Sequence, residues 1–136
     1  MAYDKPLPVP DPVTRPFWDG LKAHELRVQR CRDCNDAVFY PRAVCPHCGS
    51  RNLAWTVCSG RGTVHAFTIA HRGTPAAFRS AAPYVVAMVE LEEGARLMTN
   101  LVEVEPSPEA VRIGMPVEIV FDDVTDTVTL AKFRPR

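Results

Sequence analysis

Apolar and polar positions change period several times along this chain. Residues 1–12 show no helical or strand period. Pro6, Pro8, Pro10 and Pro12 alternate with single residues, which favours an extended polyproline-like arm. From Thr14 to Glu25 (TRPFWDGLKAHE) the spacing turns helical. Phe17, Trp18 and Leu21 fall on one side at i, i+1 and i+4, Thr14 stands at the cap position, and Pro16 is tolerated in the first turn. LRVQR (26–30) and LAWTV (53–57) alternate like short strands. Beyond Ser59 the pattern predicts strands over 63–71, 84–91, 95–104, 117–123 and 127–135. In the fourth of these, Val117, Ile119 and Phe121 point inward against Glu118 and Asp122. Gly60 and Gly62 in SGRG are expected to end the preceding element, and Glu92-Glu93-Gly94 to turn a hairpin. Residues 72–83 read as a loop with two prolines, and 106–116 as a short helical turn. Five strands, the first long, with a helical segment between the third and fourth, suit a small closed barrel of the OB-fold kind. The chain is thus predicted to be mainly β: an arm and short helix over 1–25, a metal ribbon over 26–58 and a five-stranded OB-fold barrel over 59–136.

Composition narrows the function classes. The chain has 136 residues, the size of one ordinary domain. Sixteen basic and sixteen acidic residues give a formal net charge of zero, which weakens a general nucleic-acid reading, because phosphate neutralisation wants a basic surplus. Thirteen prolines argue against a helical bundle. No apolar run approaches the ~20 residues of a membrane helix. The N-terminus MAYDKPLPVPDP has no apolar secretory core, so a cytoplasmic location and no membrane partner are expected.

The strongest chemical signal is in the cysteines. There are five, an odd number that argues against a disulfide framework. Cys31 and Cys34 (CRDC) and Cys45 and Cys48 (CPHC) form two Cys-x-x-Cys knuckles, separated by a ten-residue stretch in which Val38, Phe39 and Tyr40 can form a strand and Pro41 a turn. Two such knuckles brought together complete a tetrahedral four-sulfur site. Zinc is the favoured ion, with a rubredoxin-like iron site and a redox dithiol as alternatives. A closed four-thiolate site leaves no open coordination position, so its role is expected to be structural. His47, between two ligands, reads as a solvent-facing residue of the knuckle.

The ordered set TRPFWDGL, LRVQRCRDC, PRAVCPHCGS, SGRGTVHAFT, PYVVAMVELEEGARLMTNL and IGMPVEIVF resembles the zinc-ribbon/OB-fold proteins first catalogued as domain-of-unknown-function family thirty-five, from about Thr14 to Phe133. All four knuckle cysteines match that family's metal positions. The resemblance implies a non-catalytic accessory subunit, paired with a thiolase-like protein that carries out acyl transfer or retro-aldol carbon–carbon cleavage on acyl-CoA thioesters. Steroid side-chain degradation is one setting of this kind. The small subunit supports its partner and helps shape the CoA channel, within a hetero-oligomer that places the CoA thioester at the shared interface. The chain resembles a version without a hydratase domain.

Against that background Phe17 and Trp18 are candidate partner contacts. In the loop 72–83, Arg72, Phe78 and Arg79 are candidate partner or CoA contacts, since the arginine fork suits phosphate. Two other function classes remain open. One is a nucleic-acid-binding module, because zinc ribbons and OB-folds both serve that role. The other is a thiol enzyme using Cys58 with His65 or His71 as base; a buried, inert thiol and packing histidines are the plainer reading. No Ser–His–Asp set, phosphate-cradling glycine loop or pair of carboxylates with assignable roles occurs, so no catalytic residue is expected.

Overall fold

A helix that carries Phe17 and Trp18 at adjacent positions cannot bury both equally, because neighbours lie about 100° apart around the axis. The computed structural model, which describes residues 3–136, shows the outcome. Helix α1 spans Arg15–Lys22 and buries Phe17, Gly20 and Leu21, the i, i+3 and i+4 set. Phe17 is only 6% exposed and Leu21 fully buried. Trp18 stays half-buried, packed edge-on to Phe17 at 5.0 Å. Burying each large apolar side chain is worth about 1.5–3 kcal/mol, so the helix is held by this chain's own core.

The helix ends are built differently from the sequence expectation. Thr14 makes no side-chain cap. Asp11 takes the role three residues earlier, its Oδ1 accepting from the N–H groups of Val13 (2.9 Å) and Thr14 (2.8 Å). These hydrogen bonds hold the Asp11 carboxyl below its ordinary value, the Thr14 backbone N–H being the largest cause. At the other end the Glu25 N–H bonds the Gly20 carbonyl (2.7 Å) and the His24 N–H bonds the Leu21 carbonyl (2.9 Å), the paired closure of a Schellman motif. His24 occupies the left-handed position (φ 59°) that glycine usually takes. Its ring stacks on Phe121 at 4.9 Å and meets the Asp123 carboxylate at 3.0 Å, which ties the helix end to the barrel and offsets the ~1–2 kcal/mol backbone cost.

The ribbon is a three-stranded sheet. Strand β1 (Arg27–Cys31) lies between β2 (Ala37–Val38) and β3 (Leu53–Val57), both antiparallel to it. The expected strand over Val38–Tyr40 shrinks to Ala37–Val38, because the chain leaves the ladder at Phe39, which packs against Phe17 at 5.2 Å.

The barrel follows: β4 (Arg61–Ala70), β5 (Tyr84–Leu91), β6 (Arg96–Leu101), β7 (Pro116–Asp123) and β8 (Thr129–Pro135), closed in the order β4-β5-β6-β8-β7. This is the five-stranded Greek-key barrel of the OB-fold. Val85, Ala87, Val89 and Leu91 alternate inward along β5 and meet Phe133, Val64 and Val117 in the core. Between β6 and β8 the pairing is sparse and parallel, with Leu101 opposite Phe133. The Thr99 hydroxyl on the Ala131 carbonyl (2.8 Å) reinforces that seam.

Two expectations are corrected in β4. Gly62 does not end an element; it lies inside the strand, paired with Leu91 of β5 and Val117 of β7. A side chain there would collide with the Glu90 carbonyl. His65, read from the sequence as a packing histidine, does not share the inward face of Phe67 and Ile69. A bulge between Val64 and Ala66 leaves His65 without a partner in β5, and its side chain is exposed. The loop 72–83 is also more ordered than its composition implies, since Ala76–Ala81 forms a 3₁₀-helix after Pro75.

Candidate metal centre and flanking surfaces

Each knuckle is a closed turn that aims two sulfurs at one point. In the first, the Asn35 N–H bonds the Cys31 carbonyl (2.8 Å) and the Cys31 N–H bonds the Asp36 carbonyl (2.9 Å), with Asn35 left-handed (φ 66°). In the second, the Gly49 N–H bonds the Cys45 carbonyl (2.9 Å) and the Cys45 N–H the Ser50 carbonyl (2.8 Å), with Gly49 left-handed (φ 78°). Asp33 joins the two turns through its carboxylate, which accepts from the Ser50 hydroxyl and from the Asn52 amide.

The sulfurs of Cys31, Cys34, Cys45 and Cys48 all lie within 4.8 Å of one another. Cys31 Sγ is 3.6 Å from Cys48 Sγ, and Cys34 Sγ is 3.7 Å from Cys45 Sγ. A tetrahedron with ~2.3 Å zinc–sulfur bonds has edges of ~3.8 Å, close to these two separations, so the donor set fits one zinc ion. Backbone N–H groups of Cys34 and Asp33 pull the Cys31 thiol down to about 7. Cys34 accepts from the Asp36 N–H, which lowers it, yet lost solvent and the neighbouring sulfurs push it up to about 12. Cys48 is raised against the pull of the Ser50 N–H, with the Cys31 sulfur as the leading cause. Four sulfurs at this spacing cannot all shed protons unless a cation replaces them, which is what a bound dication does. His47 stays outside the sulfur cluster, 3.9 Å from the Asp36 carboxylate.

The fifth cysteine is inert by environment. Cys58 is 8% exposed, and burial together with the adjacent Glu93 carboxylate pushes its thiol up to about 12. His65 and His71 are both exposed, and neither hydrogen-bonds to it. With so little thiolate at pH 8, Cys58 of the folded chain is expected to resist iodoacetamide for hours, as followed by mass spectrometry of its peptide. Rapid alkylation with the fold intact would contradict this placement.

The remaining sequence candidates fall on two surfaces. Phe17, taken from the sequence as a partner contact, packs mainly into this chain's core and adds only a small part of the groove lining that Trp18 shares. Trp18 instead lines an apolar groove of about 300 Å³ at the sparse β6–β8 seam, together with Tyr40, Pro41, Met98 and Ala131. Tyr40 (52% exposed) and Met98 (58%) carry its outer rim, and neither stood out in the sequence, where each reads as an ordinary strand residue. On the second surface, Phe78 of the 3₁₀-helix sits 6.1 Å from Tyr84, with the Lys5 ammonium 5.9 Å from its ring centre. The proline arm therefore meets the loop 72–83 within this chain. Arg72 and Arg79 are exposed, and their side chains make no hydrogen bond or ion pair among the described residues. The structure thus brings the four cysteines together, and the Trp18 groove adjoins the pocket beside Phe78, the two sharing Asn100, Leu130 and Lys132.

Comparison with known proteins follows the same division of the chain. Residues 18–54 match the ChsH2 rubredoxin-like zinc ribbon domain, and residues 55–122 match the ChsH2 C-terminal OB-fold domain. A DUF35 domain-containing scaffold protein of Pyrococcus furiosus is 40% identical over 132 residues, covering 93% of this chain and 94% of the relative. A probable enoyl-CoA hydratase alpha subunit of Thermomonospora curvata is 41% identical over 120 residues (88% of this chain). The 3-oxo-4,17-pregnadiene-20-carboxyl-CoA hydratase alpha subunit of Mycobacterium tuberculosis is 38% identical over 131 residues (86% of this chain). This chain spans only 36% and 39% of the length of those two subunits. Among solved structures, a chain of an Ltp2-ChsH2(DUF35) aldolase superposes with a TM-score of 0.80 at 37% identity, over 95% of this chain and 98% of that one. Among the described residues no helix is long and apolar enough to cross a membrane.

Proposed function

The chain belongs to the ChsH2-type zinc-ribbon/OB-fold (DUF35) family, and from that membership we propose that it is a non-catalytic accessory subunit of a complex acting on acyl-CoA thioesters. The observation that carries this reading is the near full-length likeness to the DUF35 chain of a two-protein aldolase. The names of the hydratase alpha subunits and of the scaffold relative point the same way: CoA thioesters as substrates and assembly as the role. The partner is a thiolase-like protein that performs acyl transfer or retro-aldol cleavage, with steroid side chains as one substrate class.

The chemistry of this chain fits a supporting part. Its four clustered sulfurs form a closed ligand set, which holds structure rather than activating water. Zinc bound there would supply no open position, and the residues that hold it are Cys31, Cys34, Cys45 and Cys48. Cys58 is buried and protonated. What the chain offers a partner is the apolar rim of Trp18, Tyr40 and Met98, and the exposed Arg72 and Arg79 of the loop 72–83. Trp18 anchors assembly, as buried aromatics do in most interfaces. The two arginines lie near the partner's active-site mouth and hold the phosphates of CoA.

The two roles separate by measurement. Trp18→Ala is expected to weaken association with the thiolase-like partner by ~2 kcal/mol or more, about thirty-fold in the dissociation constant. Arg79→Ala is expected to lower acyl-CoA turnover of the complex while assembly is unchanged. Titration calorimetry and turnover on both variants check this. Normal association of Trp18→Ala would remove it from the interface, and unchanged turnover of Arg79→Ala would reduce the loop to a connection.

A further inference from the structure

Arg30 is used neither by the metal site nor by the partner-facing surfaces, yet its guanidinium donates in two directions. Nη1 reaches the carbonyl of Asn35 at 2.7 Å, and Nη2 reaches the carbonyl of Glu93 at 2.8 Å. Asn35 is the left-handed residue that closes the first knuckle on Cys31. Glu93 lies in the barrel hairpin between β5 and β6, whose closing bonds are Leu91 N–H to Ala95 O (2.8 Å) and Gly94 N–H to Leu91 O (2.9 Å). The same hairpin is held from its other side by Ser59, whose N–H donates to Glu93 Oε2 (2.9 Å) and whose hydroxyl donates to Glu92 Oε2 (3.0 Å).

The ribbon sheet and the barrel share no strand. The knuckles also have a separate small core of Cys31, Val38 and Cys45, with Cys34 and Leu53 packed on it. Arg30 spans the gap with a planar fork whose geometry a lysine cannot copy. We propose that Arg30 is the positioning residue that couples metal binding at the knuckles to the order of the hairpin 91–95, fixing the ribbon on the barrel. A metal ion holds the Cys31–Asn35 turn closed and so fixes the Asn35 carbonyl. Without it the carbonyl moves, Arg30 loses one of its two acceptors, and its hold on Glu93 slackens. Coupling between two equilibria is reciprocal, so disorder of the hairpin must weaken metal binding by the same factor. The inference does not depend on the partner.

The test compares the wild-type chain, Arg30→Met and Arg30→Lys by two readouts. One is hydrogen exchange of the 91–95 amides in the metal-loaded chain. The other is cobalt(II) affinity, read from the sulfur-to-cobalt absorption band. Residues that orient metal ligands from outside typically change metal affinity 10–100-fold. Arg30→Met is expected to exchange at 91–95 about ten-fold faster and to bind cobalt about ten-fold more weakly, with amides of β4 and β7 unchanged. Arg30→Lys is expected to recover part of both. If Arg30→Met fails to fold, Arg30→Lys carries the same comparison. A change in only one readout, or in neither, overturns the coupling.

Discussion

Replacing Cys45 with serine is expected to abolish tight metal binding and to unfold the two knuckles while leaving the barrel folded. Cys45 is 2% exposed and lies in a small core that contains, besides cysteines, only Val38 and Leu53. Two aliphatic side chains cannot order the knuckle turns over 31–52, because each ordered residue costs roughly 1–2 kcal/mol of backbone entropy. Structural zinc supplies about 10–16 kcal/mol in small ribbons, and a hydroxyl is a far poorer ligand than a thiolate. The larger core, in which Leu26 and Val28 of the ribbon pack with Val64, Val85, Val89, Val117 and Phe133 of the barrel, is separate from the knuckles and survives. Zinc content by atomic emission should fall from about one per chain to well below that, and NMR should show loss of the native knuckle resonances over 31–36 and 45–52 with β4–β8 retained. Full zinc retention in Cys45→Ser, and likewise in Cys31→Ser, would refute the four-cysteine site.

Gly62→Val is expected to be the most damaging substitution in the barrel, lowering stability by more than ~3 kcal/mol. Ordinary overpacking costs about 1–3 kcal/mol, because side chains can shift. Here the obstacle is backbone. A side chain at Gly62 would run into the Glu90 carbonyl, with Val89 Cγ1 2.9 Å away on the neighbouring strand. Gly62 is also paired on both sides, to Leu91 and to Val117, so β4 cannot move from one neighbour without straining the other. Thermal unfolding by circular dichroism should show a midpoint lower by about 10 °C or more. Gly73→Ala serves as the comparison. It has the strain of a positive φ (71°) but open space around it, so a smaller loss is expected.

The parts of this structure that were legible in the sequence are those set by local chemistry. Two Cys-x-x-Cys pairs carry their own geometry, and strands such as Leu53–Val57 and Tyr84–Leu91 carry their alternation, so both appear at the positions the residues predict. What was not legible depends on distant partners. Phe17 and Trp18 are equally apolar in the sequence. The barrel seam and Phe39 decide that Phe17 goes inward and Trp18 to the groove edge. Gly62 looks like a terminator until Glu90 is placed beside it. The bulge at His65 adds one residue without any compositional mark, and so reverses which face His65 occupies. Asp11 displaces Thr14 as the cap because its carboxylate reaches two N–H groups from three positions further back. Arg30 acts on two backbone carbonyls, one of them 63 residues away, and a carbonyl partner leaves no trace in side-chain identity.

The chain's part in an acyl-CoA complex is tested most directly by co-expressing it with a thiolase-like partner and weighing the product by light scattering after size exclusion. A single species containing both proteins, with turnover of acyl-CoA that neither protein shows alone, is the predicted result. Separate elution of the two proteins, with the partner's turnover the same in the presence and absence of this chain, would contradict it.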